Sequence, residues 1–283
     1  MMNRSFCKAT IHFFPTLILG CLLLTHGLVG WSAQGGLDKR PPELPVDQLI
    51  QKVAANESRL REEFKQYAFR QEFVFQTIVG RDTVTGELRR ISEIVLDKKG
   101  QRIEKITYFP PSPLIHMLTP ADYHDLAGVQ PFALSLEELP KYKVSYVGRE
   151  RVDELDTYVF DVTPAVRFDP KKININERYF QGRIWVDTEE LVIVKIAGQG
   201  VPEDGKNQFP KFETWRENIS KGIWLPTYTY ADDVLEFDTE NVRIRMVVKL
   251  TDYRRFTATL EVSDEEPLPP EKPAASPGTK PKP

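Results

Sequence analysis

The stretch Gly182-Arg183-Ile184-Trp185-Val186-Asp187-Thr188-Glu189-Glu190-Leu191-Val192-Ile193-Val194-Lys195-Ile196-Ala197-Gly198 decides the fold class. Two β-rich runs flank a polar tetrad, Asp187 to Glu190, in the pattern of an antiparallel hairpin. With the tetrad as the turn, Val186 falls opposite Leu191, Trp185 opposite Val192, and Ile184 opposite Ile193. One face then carries Ile184, Val186, Leu191 and Ile193, and the other carries Trp185, Val192, Val194 and Ile196. A hairpin with one wet face alternates apolar and polar residues. This one is apolar on both faces, so both need cover. The Trp185 set is expected to face inward, because a broad aromatic suits a deformable apolar wall. The other set then needs a second cover, from the loop 164–176 or from a partner.

Period-two patterning extends in both directions from the hairpin. Strands are expected at 69–79, 88–97, 101–109, 141–148, 157–163, 212–217, 223–230 and 242–250, besides the hairpin itself. The clearest is the last, where Val242, Ile244, Met246, Val248 and Leu250 alternate with Arg243, Arg245 and Lys249. Ahead of the strands, 47–67 has helical spacing, with Leu49, Val53, Leu60, Phe64 and Tyr67 near one stripe and Asp47 as the expected N-cap. At mid-chain, Thr119-Pro120-Ala121-Asp122 reads as a capped helix start. Ser135-Leu136-Glu137-Glu138 starts a single further turn that Pro140 stops. About ten antiparallel strands with a helix at the front and two short ones in the middle make an α+β domain, a curved open sheet covered by helices.

The ends of the chain read differently. Residues 1–35 open with Arg4 and Lys8, continue through an apolar core and finish in small and polar residues, the layout of a cleavable secretory signal. The core is shorter than the about 20 apolar residues of a spanning helix. Removing the leader removes both cysteines, Cys7 and Cys21, and its two positive charges take the net charge from −3 to −5. A disulfide framework and a cysteine nucleophile are thereby excluded from the mature chain, and a mildly acidic chain with no basic block is a poor nucleic-acid partner. Ile18-Leu19-Gly20-Cys21 brushes against a lipidation motif, so Cys21 is a candidate lipid anchor at the outer membrane, the alternative to a free periplasmic protein. From 263 onward the sequence is proline-rich with almost nothing to bury, and disorder is expected there. A folded domain is left over 45–262.

Local chemistry is sparse. His116, Asp122, His124 and Asp125 are the one cluster that could hold a metal and serve a metal-dependent hydrolase. On one helix, however, Asp122 and Asp125 share a face that His124 does not, and a capped, solvated helix is expected instead. No phosphate loop, nucleophile elbow or HExxH appears, and the expectation is a non-enzyme without a cofactor. The aromatic residues carry more information. Trp224, Tyr228 and Tyr230 recur along one strand with Pro226 between them. Three such rings present about 450–750 Å² and have to be covered by a core or by an apolar ligand. The candidate cavity lining is Phe73, Phe75, Tyr108, Tyr146, Tyr158, Phe160, Trp185, Val192, Val194, Trp224, Tyr228 and Tyr230.

The paired runs Tyr146-Val147-Gly148-Arg149-Glu150-Arg151-Val152 and Tyr158-Val159-Phe160-Asp161-Val162-Thr163-Pro164 resemble adjacent strands of the LolA/LolB-like superfamily of lipoprotein carriers. The Gly182 hairpin and the segment from Phe212-Glu213-Thr214-Trp215 to Pro226 resemble the hairpins that follow, and the resemblance spans 49–256. It implies an open half-barrel with helices over its concave face, acyl chains of lipid or lipoprotein between the two, and no catalysis. It also implies a periplasmic setting and an envelope or membrane protein partner. A sensor or scaffold of the same fold with a solid core is the alternative.

Overall fold

The computed structural model describes residues 37–97, 101–127, 129–168 and 177–256, all within the unit Gly35–Pro283. The leader with Cys21, residues 169–176 of the loop, the tail 263–283 and the side chain of His124 lie outside the described residues.

The elements are α1 (Val46–Phe64), β1 (Tyr67–Val79), β2 (Thr83–Leu96), β3 (Arg102–Tyr108), α2 (Pro120–Ala127), β4 (Tyr142–Val152), β5 (Leu155–Pro164), β6 (Tyr179–Asp187), β7 (Ile193–Val201), β8 (Phe212–Ser220), β9 (Ile223–Glu236) and β10 (Asn241–Arg255). The ten strands form one open antiparallel sheet in the order β3-β2-β1-β10-β9-β8-β7-β6-β5-β4, a curved half-barrel with the helices over its concave face. The chain therefore starts mid-sheet and runs outward to the β3 edge. It then crosses to the opposite edge through residues 109–141 and returns as a meander until β10 pairs with β1. The crossing carries α2 and two 3-10 turns, Pro113–His116 and Leu139–Lys141. Among the described residues, no helix is long and apolar enough to cross a membrane.

Local chemistry explains the helix ends. Thr119 and Asp122 form a reciprocal capping box, with Asp122 N donating to Thr119 Oγ1 at 3.4 Å and Thr119 N donating to Asp122 Oδ2 at 2.6 Å. At α1 the expected cap fails. Pro45 holds the cap position without a side-chain bond, and Asp47 sits in the first turn, where it still favours the positive helix end. The helix also stops at Phe64, leaving Tyr67 to open β1. Leu49, Ile50, Val53, Ala54 and Leu60 of α1 are buried. Its first half packs into a core with Phe160, Phe180, Ile184, Ile193 and Ile196 of the sheet.

The central hairpin is shifted from its expected register. Ile184 pairs with Ile196 and Val186 with Ile193, and Gly182 faces Gly198. The turn is longer than the tetrad. The Asp187 carboxylate accepts from the backbone of Glu189 at 3.1 Å and Glu190 at 2.6 Å, and Leu191 adopts φ 51°. A bulge at Val194 then breaks the alternation of β7 and puts Ile196 on the same face as Ile193. The face under α1 is consequently Ile184, Val186, Ile193 and Ile196, while Trp185 and Val194 lie in a second cluster with Val159. This reverses the expected orientation, because the β-branched residues pack closely beneath the helix and the indole has a polar partner elsewhere. Trp185 Nε1 donates to Glu150 at 2.7 Å, and the Lys195 ammonium stands 5.0 Å from the Trp185 ring.

The second cover comes from the chain itself. Leu37, Val147, Val152 and Leu155 pack against the Trp185 cluster. Leu37 is held there because Asp38 and Arg149 exchange backbone hydrogen bonds of 2.9 and 2.6 Å. That approach requires Gly148, where a Cβ would stand 2.5 Å from the Asp38 carbonyl oxygen.

Candidate functional site

Under the second half of α1 the core opens. A cavity of about 460 Å³ lies between that helix, the crossing segment and the concave face. This is within the about 300–1,000 Å³ of small-ligand sites. Its apolar wall includes Leu60 and Phe64 of α1, Phe69 of β1, Val129 and Phe132 of the crossing, Leu225 of β9, and Val248 and Leu250 of β10. Its polar margin includes Arg61 of α1, Lys65 just after the helix, Gln71, Arg102, Glu138 and Lys141.

The change from packed core to cavity occurs at Glu57. This residue continues the Leu49–Val53 line of α1 but is a carboxylate, and it is fully buried. Arg216 of β8 meets it, with Nη1 donating to Oε2 at 3.0 Å and Oε1 at 3.1 Å. The backbone of Ile193 donates to Oε1 at 2.9 Å, and Arg216 Nη2 donates to the Phe132 carbonyl at 2.5 Å. One ion pair thus joins helix, sheet and crossing segment at the cavity wall. Such a pair is sustained only when its other hydrogen-bonding capacity is also met, as most of it is here.

A second buried pair anchors the crossing. Arg178 donates bidentately to Asp125 of α2 at 3.2 and 3.1 Å, and it also bonds the Pro202 carbonyl. Its guanidinium lies 3.3 Å from the centre of the Phe209 ring. Arg90 of β2 stacks over Tyr123 of α2 at 4.4 Å. Leu136 N donates to Ser58 Oγ of α1 at 2.9 Å. The roof of the cavity is therefore tied down along its length.

The candidate lining residues separate. Trp224 borders the cavity, its Nε1 donating to Glu190 at 3.0 Å. Phe73 and Phe75 line a smaller space of about 30 Å³, beside Met246 and Phe212. Tyr146, Tyr158 and Phe160 pack edge-to-face in the filled part of the core. Trp185, Val192 and Val194 belong to the second cluster. Tyr228 packs on Trp215 with ring centres 5.7 Å apart, Tyr230 bonds Asp232 at 3.3 Å, and Tyr108 is half exposed on edge strand β3. Trp224, Tyr228 and Tyr230 thus do not form one wall, because a bulge between Trp224 and Tyr228 breaks the alternation of β9.

The candidate metal ligands also separate. His116 is exposed, Asp122 caps α2 and Asp125 pairs with Arg178. Burial pushes the Asp122 carboxyl above the usual aspartate range, with the Thr119 bonds opposing it. Among the described residues, no group of three or more His, Cys, Asp or Glu side chains is placed to hold a metal.

Glu57, Arg178 and Arg216 were not among the residues the sequence pointed to. A signal existed for two of them: Glu57 is four residues from Val53 on an apolar stripe, and Arg216 follows Phe212 and Thr214 on the inward face of β8.

No protein-family model matches the chain, and no curated protein matches it. Among solved structures, it is similar to a DUF1329 family protein from Desulfovibrio piger, with 16% identity over 76% of this chain and 94% of that one and a TM-score of 0.38. It is also similar to a LolA superfamily protein from Nitrosomonas europaea, with 16% identity over 74% of this chain and 93% of that one and a TM-score of 0.33. A putative outer membrane lipoprotein-sorting protein domain from Vibrio parahaemolyticus gives 12% identity over 76% of this chain and 95% of that one, with a TM-score of 0.37.

Proposed function

We propose that this chain is an exported bacterial envelope protein that shelters acyl chains, of a lipid or a lipid-modified protein, in the cavity under α1 without catalysing a reaction. The observation that carries this reading is the cavity itself: about 460 Å³ beside Leu60, Phe64, Phe69, Leu225 and Val248, next to the closely packed core under the first half of α1. Each CH₂ sheltered there is stabilised by about 0.8 kcal/mol. A site of this kind binds by apolar burial and releases its cargo to a competing acceptor, and it needs no cofactor. The leader-like 1–35 segment supports export to the periplasm, and the strand motifs around Tyr146 and Gly182 support a lipoprotein-carrier-like role.

The reading is tested by titrating the delipidated mature chain with a fluorescent fatty-acyl probe. Saturable binding that Leu250→Trp weakens at least about tenfold supports it; absence of binding contradicts it. A second reading keeps the fold as a sensor or scaffold. It is favoured by the filled half of the core, where Phe160, Phe180, Ile184 and Ile193 are fully buried. Under that reading the probe does not bind, and the proline-rich tail captures an envelope partner.

A further inference from the structure

The cavity margin holds an excess of positive charge. Glu104 on β3 serves two guanidinium groups, Arg90 at 3.3 Å and Arg102 at 3.5 Å. Glu138 likewise serves two cations, Lys141 at 2.9 Å and Arg61 at 3.7 Å. Arg61 also donates to Ser135 Oγ at 3.3 Å and to Glu137 at 3.1 Å, and the Glu137 side chain is 75% exposed and screened by water. Arg61, Arg102 and Lys141 all border the cavity. They come from α1, from edge strand β3 and from the end of the crossing before β4, so cations from both edges of the sheet line one cavity. Burial lowers the Arg102 pKa, and the Arg90 charge lowers it further while Glu104 opposes both. An anion at this point would relieve that repulsion.

We infer that the cargo is an amphiphile with an anionic headgroup, its acyl chain in the apolar cavity and its carboxylate or phosphate between Arg102 and Lys141. This rests on the acyl-binding reading and sharpens it. A guanidinium presents two parallel donors to a carboxylate or phosphate, and a neutral hydroxyl headgroup cannot use them in the same way. The lipid phosphate and the fatty-acid carboxylate share this chemistry. A cargo whose polar end is uncharged leaves the excess unanswered.

The test compares hexadecanoic acid, hexadecyl phosphate, hexadecanol and inorganic phosphate as competitors for a fluorescent acyl probe on the delipidated mature chain. The acid and the phosphate ester should bind at least about tenfold tighter than the alcohol at low salt. That advantage should shrink toward about 1 M salt, where screening acts over about 3 Å. Inorganic phosphate alone should not displace the probe. The double substitution Arg102→Gln with Lys141→Gln should erase the difference in affinity between the acid and the alcohol. Glu104 and Glu138 keep Arg90 and Arg61 as partners in that variant.

Equal binding of acid and alcohol by the unsubstituted chain overturns the inference but leaves acyl binding standing. So does a double variant that weakens both alike. Displacement by inorganic phosphate overturns the amphiphile. If none of the three alkyl compounds binds, acyl binding and this inference fall together.

Discussion

The Glu57 carboxylate on α1 and the Arg216 guanidinium on β8 meet at 3.0 Å with side-chain exposures of 0% and 4%. They are separated by 159 positions in sequence, and they line one wall of the cavity. Removing one partner leaves the other charge buried and unpaired. Glu57→Gln or Arg216→Met should each cost about 3–5 kcal/mol in urea unfolding. The double variant Glu57→Leu with Arg216→Met should cost clearly less than the sum of the singles, since no charge is then left unpaired.

The orientation of the Gly182 hairpin can be tested at Trp185. Its indole packs in a cluster with Val159 and Val194 on the face opposite Ile184 and Val186, and it does not border the cavity. Trp185→Ala should destabilise the chain by about 3–5 kcal/mol in denaturant titration. The affinity for an acyl probe, measured under conditions where the variant is folded, should remain within about twofold. A large loss of affinity would place Trp185 at the cargo.

The glycines that open and close the hairpin are paired because nothing larger fits between them. A Cβ at Gly198 would stand 2.4 Å from the Gln181 carbonyl oxygen and 2.7 Å from Cε2 of the Phe180 ring. Gly198→Ala should therefore destabilise by about 1–3 kcal/mol, the cost of overpacking a filled core, read as a lower melting temperature. An unchanged melting temperature would contradict the pairing.

How much of this was legible in the sequence depends on the distance over which each feature is decided. The faces of β10 follow from strict alternation, with Ile244, Met246 and Val248 buried and Arg243 and Arg245 on the other side. The start of α2 follows from two residues three positions apart, Thr119 and Asp122. The hairpin register does not follow from alternation. It depends on the Asp187 side chain hooking the backbone of Glu189 and Glu190, on the positive φ of Leu191, and on a bulge, none of which alternation encodes. Which aromatic residues border the cavity depended in turn on that register and on the bulge in β9. The buried pairs Glu57–Arg216 and Arg178–Asp125 join residues distant in sequence, so only the misplaced charge on an apolar stripe could announce them.

Asp232 gives a pH signature. The neighbouring Arg243 and Arg245 guanidinium groups hold its carboxyl below the usual aspartate range, against the effect of burial. A lowered folded-state pKa stabilises the native state above the unfolded value of about 3.9, and that stabilisation is lost as pH falls through the lower folded value. Asp232→Asn should lower stability at neutral pH and flatten the acid limb of the stability curve below about pH 4. Urea titrations across that range check the sign, and an acid limb as steep as that of the unsubstituted chain would contradict it.

The central claim is that the space under α1 holds acyl chains. The direct measurement is native mass spectrometry of the mature chain purified from a bacterial envelope, before and after organic extraction. The account predicts adducts of acyl-lipid mass that extraction removes and added anionic lipid restores. A single apo mass before extraction, on a folded chain that also refuses fatty-acyl probes, would contradict it.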